Sequence, residues 1–125
     1  MWKKLLAILL LPLLFAGCAT TFTNLTPLHQ PRNANNLYPI EVQFDSRERA
    51  IRWDTIQPSV LIGAESYPLR KVRMLNHRWE GLIPVPAGAN SVDYRYKFDY
   101  EYSDFGGPVV GTKYSLKYTL HVLDQ

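Results

Sequence analysis

Few side chains in this 125-residue chain are of types that do chemistry. Cys18 is the only cysteine, so no disulfide can form within one chain. His29, His77 and His121 stand far apart, with no metal-ligand spacing and no cysteine partner. Each reads as a lone surface histidine. No Gly-x-Ser-x-Gly elbow offers a nucleophile. Gly106-Gly107-Pro108 reads as a turn, because no Lys-Ser/Thr pair or helix start follows to build a phosphate cradle. Asp99 and Glu101 share a strand face and could imitate a catalytic carboxylate pair. Arg95 and Lys97 lie on the same face, so a cross-strand ion-pair ladder is the stronger reading. These residues predict no enzyme, no metal and no cofactor.

The remaining candidates are aromatic. Tyr94, Tyr96, Phe98, Tyr100 and Tyr102, with Trp53 and Trp79, could form a flat stacking platform for sugars or the inner face of a sandwich. Strict alternation with charged residues places Tyr94, Tyr96 and Phe98 inside, since the charged parity must face water. Tyr100 and Tyr102, towards the strand end, can reach solvent with their hydroxyls. Together with Trp79 they are the candidate ligand-binding residues, and a glycan is the ligand they would suit.

The elements that position these residues read as strands. Ile40, Val42 and Phe44 alternate with Glu41, Gln43 and Asp45. Ile51 and Trp53 flank Arg52 in a second short strand. Ser59-Val60-Leu61-Ile62 is a compact apolar run, and Gly63-Ala64-Glu65-Ser66 a hairpin turn. Lys71 to Leu75 predicts a short edge strand, and Arg78 onward another strand that leaves at Pro84, before the turn Ala87-Gly88-Ala89-Asn90. Val92 to Ser103 is the clearest, with aromatic residues on one parity and charges on the other. After the turn at Asp104 to Pro108, Tyr114, Leu116, Tyr118, Leu120 and Val122 share one parity and predict a single closing strand. No stretch of the mature chain has helical periodicity.

The N-terminus differs in kind. Lys3 and Lys4 precede the apolar run Leu5 to Phe15, which is too short to cross a bilayer as a helix. Phe15-Ala16-Gly17-Cys18 then resembles the lipobox of bacterial lipoprotein signal peptides, with Phe15 where Leu is usual. The resemblance implies diacylglyceryl transfer to the Cys18 sulfur, cleavage after Gly17 and acylation of the new amine. Cleavage after Ala19 by ordinary signal peptidase, or an uncleaved anchor, are the alternatives. Ala19, where inner-membrane lipoproteins carry Asp, leans towards the outer membrane.

Removing residues 1–17 leaves 108, enough for one domain and a tether. Lys3 and Lys4 leave with the signal, so 14 basic against 11 acidic residues become 12 against 11. That balance excludes an electrostatic footprint for nucleic acid. Arg70-Lys71-Val72-Arg73 is the most basic spot and reads as a solvated edge. Residues 18–36, rich in Thr, Asn and Pro, are expected to form the lipidated N-terminus and a flexible tether.

Residues 37–125 predict an all-β, small antiparallel sandwich of about seven strands, preceded by a helical signal peptide and the irregular tether. Trp79-Glu80-Gly81-Leu82-Ile83-Pro84-Val85-Pro86-Ala87-Gly88, followed by Val92-Asp93-Tyr94-Arg95-Tyr96-Lys97-Phe98, resembles a pattern in early-set immunoglobulin-like domains. That family includes glycogen- and starch-binding modules; the likeness covers about 20 residues of the chain and speaks for the fold more than for a ligand. The resulting expectation is a lipid-anchored envelope protein, held in the membrane by acyl chains on Cys18. Its domain would bind a protein partner, through an open sheet edge for instance, with a carbohydrate-binding module for a glycan or cell-wall polymer as the alternative. The membrane side facing the domain stays open.

Overall fold

The structure, a computed structural model, describes residues 20–48 and 50–124. The signal peptide (residues 1–17) and Cys18 lie outside the described residues. Ten strands follow in order: β1 (Thr20–Asn24), β2 (His29–Pro31), β3 (Leu37–Ser46), β4 (Ile51–Ile62), β5 (Glu65–Pro68), β6 (Arg70–Lys71), β7 (Arg78–Pro84), β8 (Ser91–Asp104), β9 (Gly107–Tyr114) and β10 (Tyr118–Leu123). One sheet has the order β1-β3-β7-β6. The other has the order β2-β10-β8-β4-β5, with β9 also paired to β8. This partition reproduces the A-B-E-D and G-F-C-C′ sheets of the immunoglobulin sandwich, with β9 and β10 together as the G strand. The fold is therefore an all-β, immunoglobulin-like sandwich.

Alternation builds the core. Tyr38, Ile40, Val42 and Phe44 point inward from β3, and Tyr94, Tyr96, Phe98 and Tyr100 from β8. Antibody domains join strands B and F by a disulfide, and this chain has none to use. The corresponding strands, β3 and β8, meet instead through Phe44 and Phe98, with ring centroids 4.8 Å apart. Trp79 of β7 closes on Phe98 edge-on at 5.1 Å.

The edge strand expected at Lys71 to Leu75 shrinks to β6, Arg70–Lys71, before a loop, and three further expectations need correction. The first concerns the tether. Residues 20–31 supply β1, paired with β3, and β2, paired in parallel with β10. Their polarity misleads because β1 is an edge strand that inserts one aromatic, Phe22, against Phe44 and Phe98. Its threonines are nonetheless good strand formers. The polar groups that follow are satisfied inside: Asn24 donates to the Tyr94 hydroxyl at 2.8 Å and accepts from that of Tyr96 at 2.6 Å. The Thr26 hydroxyl, buried, accepts the Glu41 N–H at 2.9 Å.

The second concerns the closing strand. Tyr114 pairs with Lys97, and Tyr118 with Tyr94. The chain thus advances four residues on this side while β8 advances three. One extra residue reverses the parity, as in a bulge. Ser115 fills the break, exchanging backbone bonds with Tyr96 through its N–H (3.0 Å) and side-chain oxygen (2.8 Å). Tyr114 and Leu116 consequently face solvent, while Leu120 and Val122 are core.

The third concerns β4, which is one strand through Pro58 rather than two runs. Between Arg52 and Gln57 it advances five residues against two on β8. Thr55 closes that bulge by donating to the Arg52 carbonyl (2.6 Å) and accepting the Glu101 N–H (2.8 Å). Next to such an irregularity a proline is tolerated in an inner strand. The β4–β5 turn at Gly63-Ala64 is as expected, with φ +58° at Gly63 alone, the pattern of a type II′ hairpin.

Buried hydroxyls make the fold sensitive to alkali. Desolvation raises the Tyr94 and Tyr96 phenols above the usual 10. Desolvation, then the Glu48 carboxylate, push Tyr100 up to about 12. A phenol whose folded pKa exceeds its unfolded value contributes stability that is complete below pH 10 and is lost as pH rises towards the folded value. Cooperative unfolding above pH 10 is the expected outcome, followed by circular dichroism beside tyrosinate absorbance. Ionisation of all eight tyrosines near 10 without loss of structure would contradict it.

Candidate functional site

β9 is paired on one side only. Among the described residues its outer edge meets no strand along all eight residues from Gly107 to Tyr114. Two of its outward side chains are apolar and exposed, Val110 at 70% and Tyr114, with Thr112 between them. Leu116, just beyond, is 80% exposed. Pro108 and Lys113 are the only residues of the strand that discourage pairing. An unpaired row of backbone N–H and C=O groups beside apolar side chains is a template for one more strand.

Tyr100 and Tyr102 support this edge from beneath. A Cβ added at Gly111 would come within 3.1 Å of the Tyr102 ring and 3.4 Å of the Tyr100 ring. Glycine therefore lets both rings lie across β9. This corrects the expected ligand rim: Tyr100 is 3% exposed and Trp79 6%, so both are core residues. Alternation carries Tyr100 inward with the rest of the β8 aromatic face, and Trp79 packs against Phe44 and Phe98. Tyr102 remains half-buried. The three candidates do not converge on a common exposed surface.

The outer face of the same sheet carries the expected ladder in part. Arg52 of β4 meets Glu101 across the strands at 3.5 Å, Lys97 meets Asp99 along β8 itself at 3.8 Å, and Thr112 donates to Asp99 at 2.5 Å. Arg95 lies over the Tyr114 ring, 4.8 Å from its centroid. Exposed pairs of this kind contribute about 0–1 kcal/mol each.

The histidines are less isolated than their spacing suggests. Register sets His121 beside His29, and their rings stack at 4.9 Å. The His77 imidazole lies flat on the Trp53 indole, centroids 4.0 Å apart and planes 5° from parallel. Its Nδ1 sits 3.2 Å from the Asp45 carboxylate, and its backbone is left-handed at φ +62°. Trp53, Ile56, Pro58, Lys71 and His77 line a cleft of about 430 Å³ there. No hydroxyl or thiol joins the His77–Asp45 pair among the residues lining it. A second cleft of about 580 Å³ has mainly apolar walls, Leu25, Pro27, Pro39, Leu69 and Leu82, over Gly81. Among the described residues no three His, Cys, Asp or Glu side chains are grouped to hold a metal. No described helix is long and apolar enough to cross a membrane.

No protein-family model matches this chain, and no curated protein does. One solved structure, titled as murine CRIg, aligns over 84% of this chain and 98% of its own, at 13% identity and a TM-score of 0.41. The fold assignment rests on the strand order given above.

Sequence reasoning missed the exposed edge. The parity switch at Ser115 decides it, and only the unequal spacing of β8 against β9 and β10 reveals that switch.

Proposed function

We propose that this chain is a lipid-anchored component of a bacterial envelope, and that its sandwich holds an extended strand of a protein partner along β9. The open, apolar β9 edge is the observation that supports the partner, and the lipobox around Cys18 supports the anchor. The partner strand would set apolar side chains against Val110 and Tyr114 and an acidic one beside Lys113, while its backbone completes the ladder. A sugar platform has less support: Trp79 and Tyr100 are buried, His77 covers one face of Trp53, and Arg95 lies over Tyr114.

Photo-crosslinking in intact cells tests the edge. A photoreactive residue replacing Val110 is expected to give one discrete heterologous adduct, and the same residue at Leu82 on the other sheet none. The double variant Val110→Asp, Thr112→Pro, which removes an N–H on the free edge, should abolish the partner's recovery with the acylated chain. No adduct at Val110, an equal adduct at Leu82, or an adduct of two copies of this chain would each remove the reading.

A further inference from the structure

The position of Thr20 fixes which end of the domain an anchor would reach. Thr20 pairs with Ser46 at the end of β3. The first residue of β4, Ile51, pairs with Tyr102 near the end of β8, and Arg47 and Glu48 follow Ser46 at this end. The β8–β9 tip, Phe105-Gly106, projects beyond this point. β7 begins opposite Gln43, so the preceding loop, residues 72–77, reaches the same end. One pole of the sandwich therefore carries the start of β1 and three loops.

Those loops display apolar side chains to solvent. Met74 and Phe105 are fully exposed, and Leu75 is 42% exposed. Met74 stands on a left-handed backbone, φ +65°, that lifts it out of the loop. Arg47, Lys71 and Arg73 are exposed around them and take part in no ion pair among the described residues. The nearby acids are mostly engaged: Glu48 accepts the Tyr100 hydroxyl, Asp104 the Phe105 N–H, and Asp45 faces His77. Asp54, exposed on β4, is the exception.

We infer that this pole is a membrane-docking face, with Met74, Leu75 and Phe105 inserted at the bilayer interface and Arg47, Lys71 and Arg73 set against anionic headgroups. The inference rests on the acylated Cys18 of the reading above. Only Ala19 lies between Cys18 and Thr20, and two backbone steps of at most about 3.6 Å put the anchor within roughly 7 Å of β1 along the backbone. No leash remains to hold the domain off the surface. Apolar side chains on such a face settle into the headgroup–acyl boundary, and basic ones add attraction to anionic lipid. The bilayer thus orients the β9 edge, which starts at this pole with Gly107 and leads away from it.

Depth-dependent quenching tests the inference. Cys18 is the only native cysteine and its sulfur is acylated in the anchored form, so an introduced thiol can be labelled alone. The acylated chain carrying Phe105→Cys, Met74→Cys or Ala64→Cys, labelled with an environment-sensitive dye, is placed in phosphatidylethanolamine–phosphatidylglycerol vesicles with brominated acyl chains. Ala64, in the β4–β5 turn, lies roughly 25–30 Å from the docking pole, since β8 covers that span in about eight residues of about 3.3 Å each. Emission at positions 105 and 74 is expected to fall about two-fold or more, and at position 64 to stay unchanged. Mass spectrometry of the same samples reports the state of Cys18. Acylated protein with no quenching at 105 and 74, or with equal quenching at 64, overturns the docking face and leaves the anchor standing. An unmodified Cys18 overturns the anchor and the docking face with it.

Discussion

Phe98→Ala is expected to lower the domain's unfolding free energy by about 3–5 kcal/mol, the cost of emptying an aromatic site in a packed core. Phe98 is fully buried on β8 and touches the opposite sheet at three points: Phe44 at 4.8 Å, Trp79 at 5.1 Å and Phe22 at 5.3 Å. The ring is therefore the main tie between sheets that no disulfide joins. A domain with about 5–15 kcal/mol of stability would lose roughly a fifth of it or more. The shift of the denaturant midpoint at constant slope measures the loss. Phe98→Leu, which keeps much of the volume, should cost clearly less. A change below about 1 kcal/mol for the alanine variant would mean that the two sheets are held mainly by something other than this cluster.

The inter-sheet cluster was also the most legible part of the chain. β3 from Ile40 to Asp45 and β8 from Val92 to Ser103 alternate apolar and polar residues, and period-two patterning places each of these side chains once the face is known. The same rule gave Arg52–Glu101 and Lys97–Asp99 their places outside. It failed where a strand earns its place by other means. β1 offers one buried-facing aromatic amid threonines, and the Asn24–Thr26 polar groups are tolerated only because Tyr94, Tyr96 and Glu41 supply partners from distant strands. No local pattern announces such partners. Between Tyr114 and Tyr118 the alternation looks unbroken in sequence, yet one extra residue turns half of it outward.

The candidate site was hidden for the same reason. Tyr100 and Tyr102 looked like a rim because they end an aromatic run. Their work is to roof Gly111 from within, while the exposed apolar side chains belong to β9. Strand parity can state which residues share a face. It cannot state where a sheet outruns its partner and leaves an edge open. The His29–His121 stack is equally a product of topology, since it joins residues 92 positions apart through a parallel pair.

Cys18→Ala is expected to move the protein from the membrane to the soluble fraction almost completely and to abolish incorporation of labelled fatty acid. Stable anchoring takes two acyl chains, because one alone binds marginally, and each buried methylene adds about 0.8 kcal/mol. The exposed side chains of the docking pole offer far less: Met74, Leu75 and Phe105 insert only at the interface. They orient an anchored domain and do not retain a released one. Fractionation should therefore show a large loss for Cys18→Ala and a small one for the pair Met74→Asp, Phe105→Asp. The folded domain should survive both changes, since Cys18 precedes β1 and the other two side chains touch solvent alone. If Cys18→Ala remained with the membrane, its mass would separate the causes. A chain still carrying residues 1–17 would be held by an uncleaved signal segment, and a shortened chain would be held by the docking pole or by the β9 partner. Only the second result would dismiss acylation as what keeps this domain at the bilayer, because a chain without the Cys18 sulfur lacks the group whose modification leads to cleavage after Gly17.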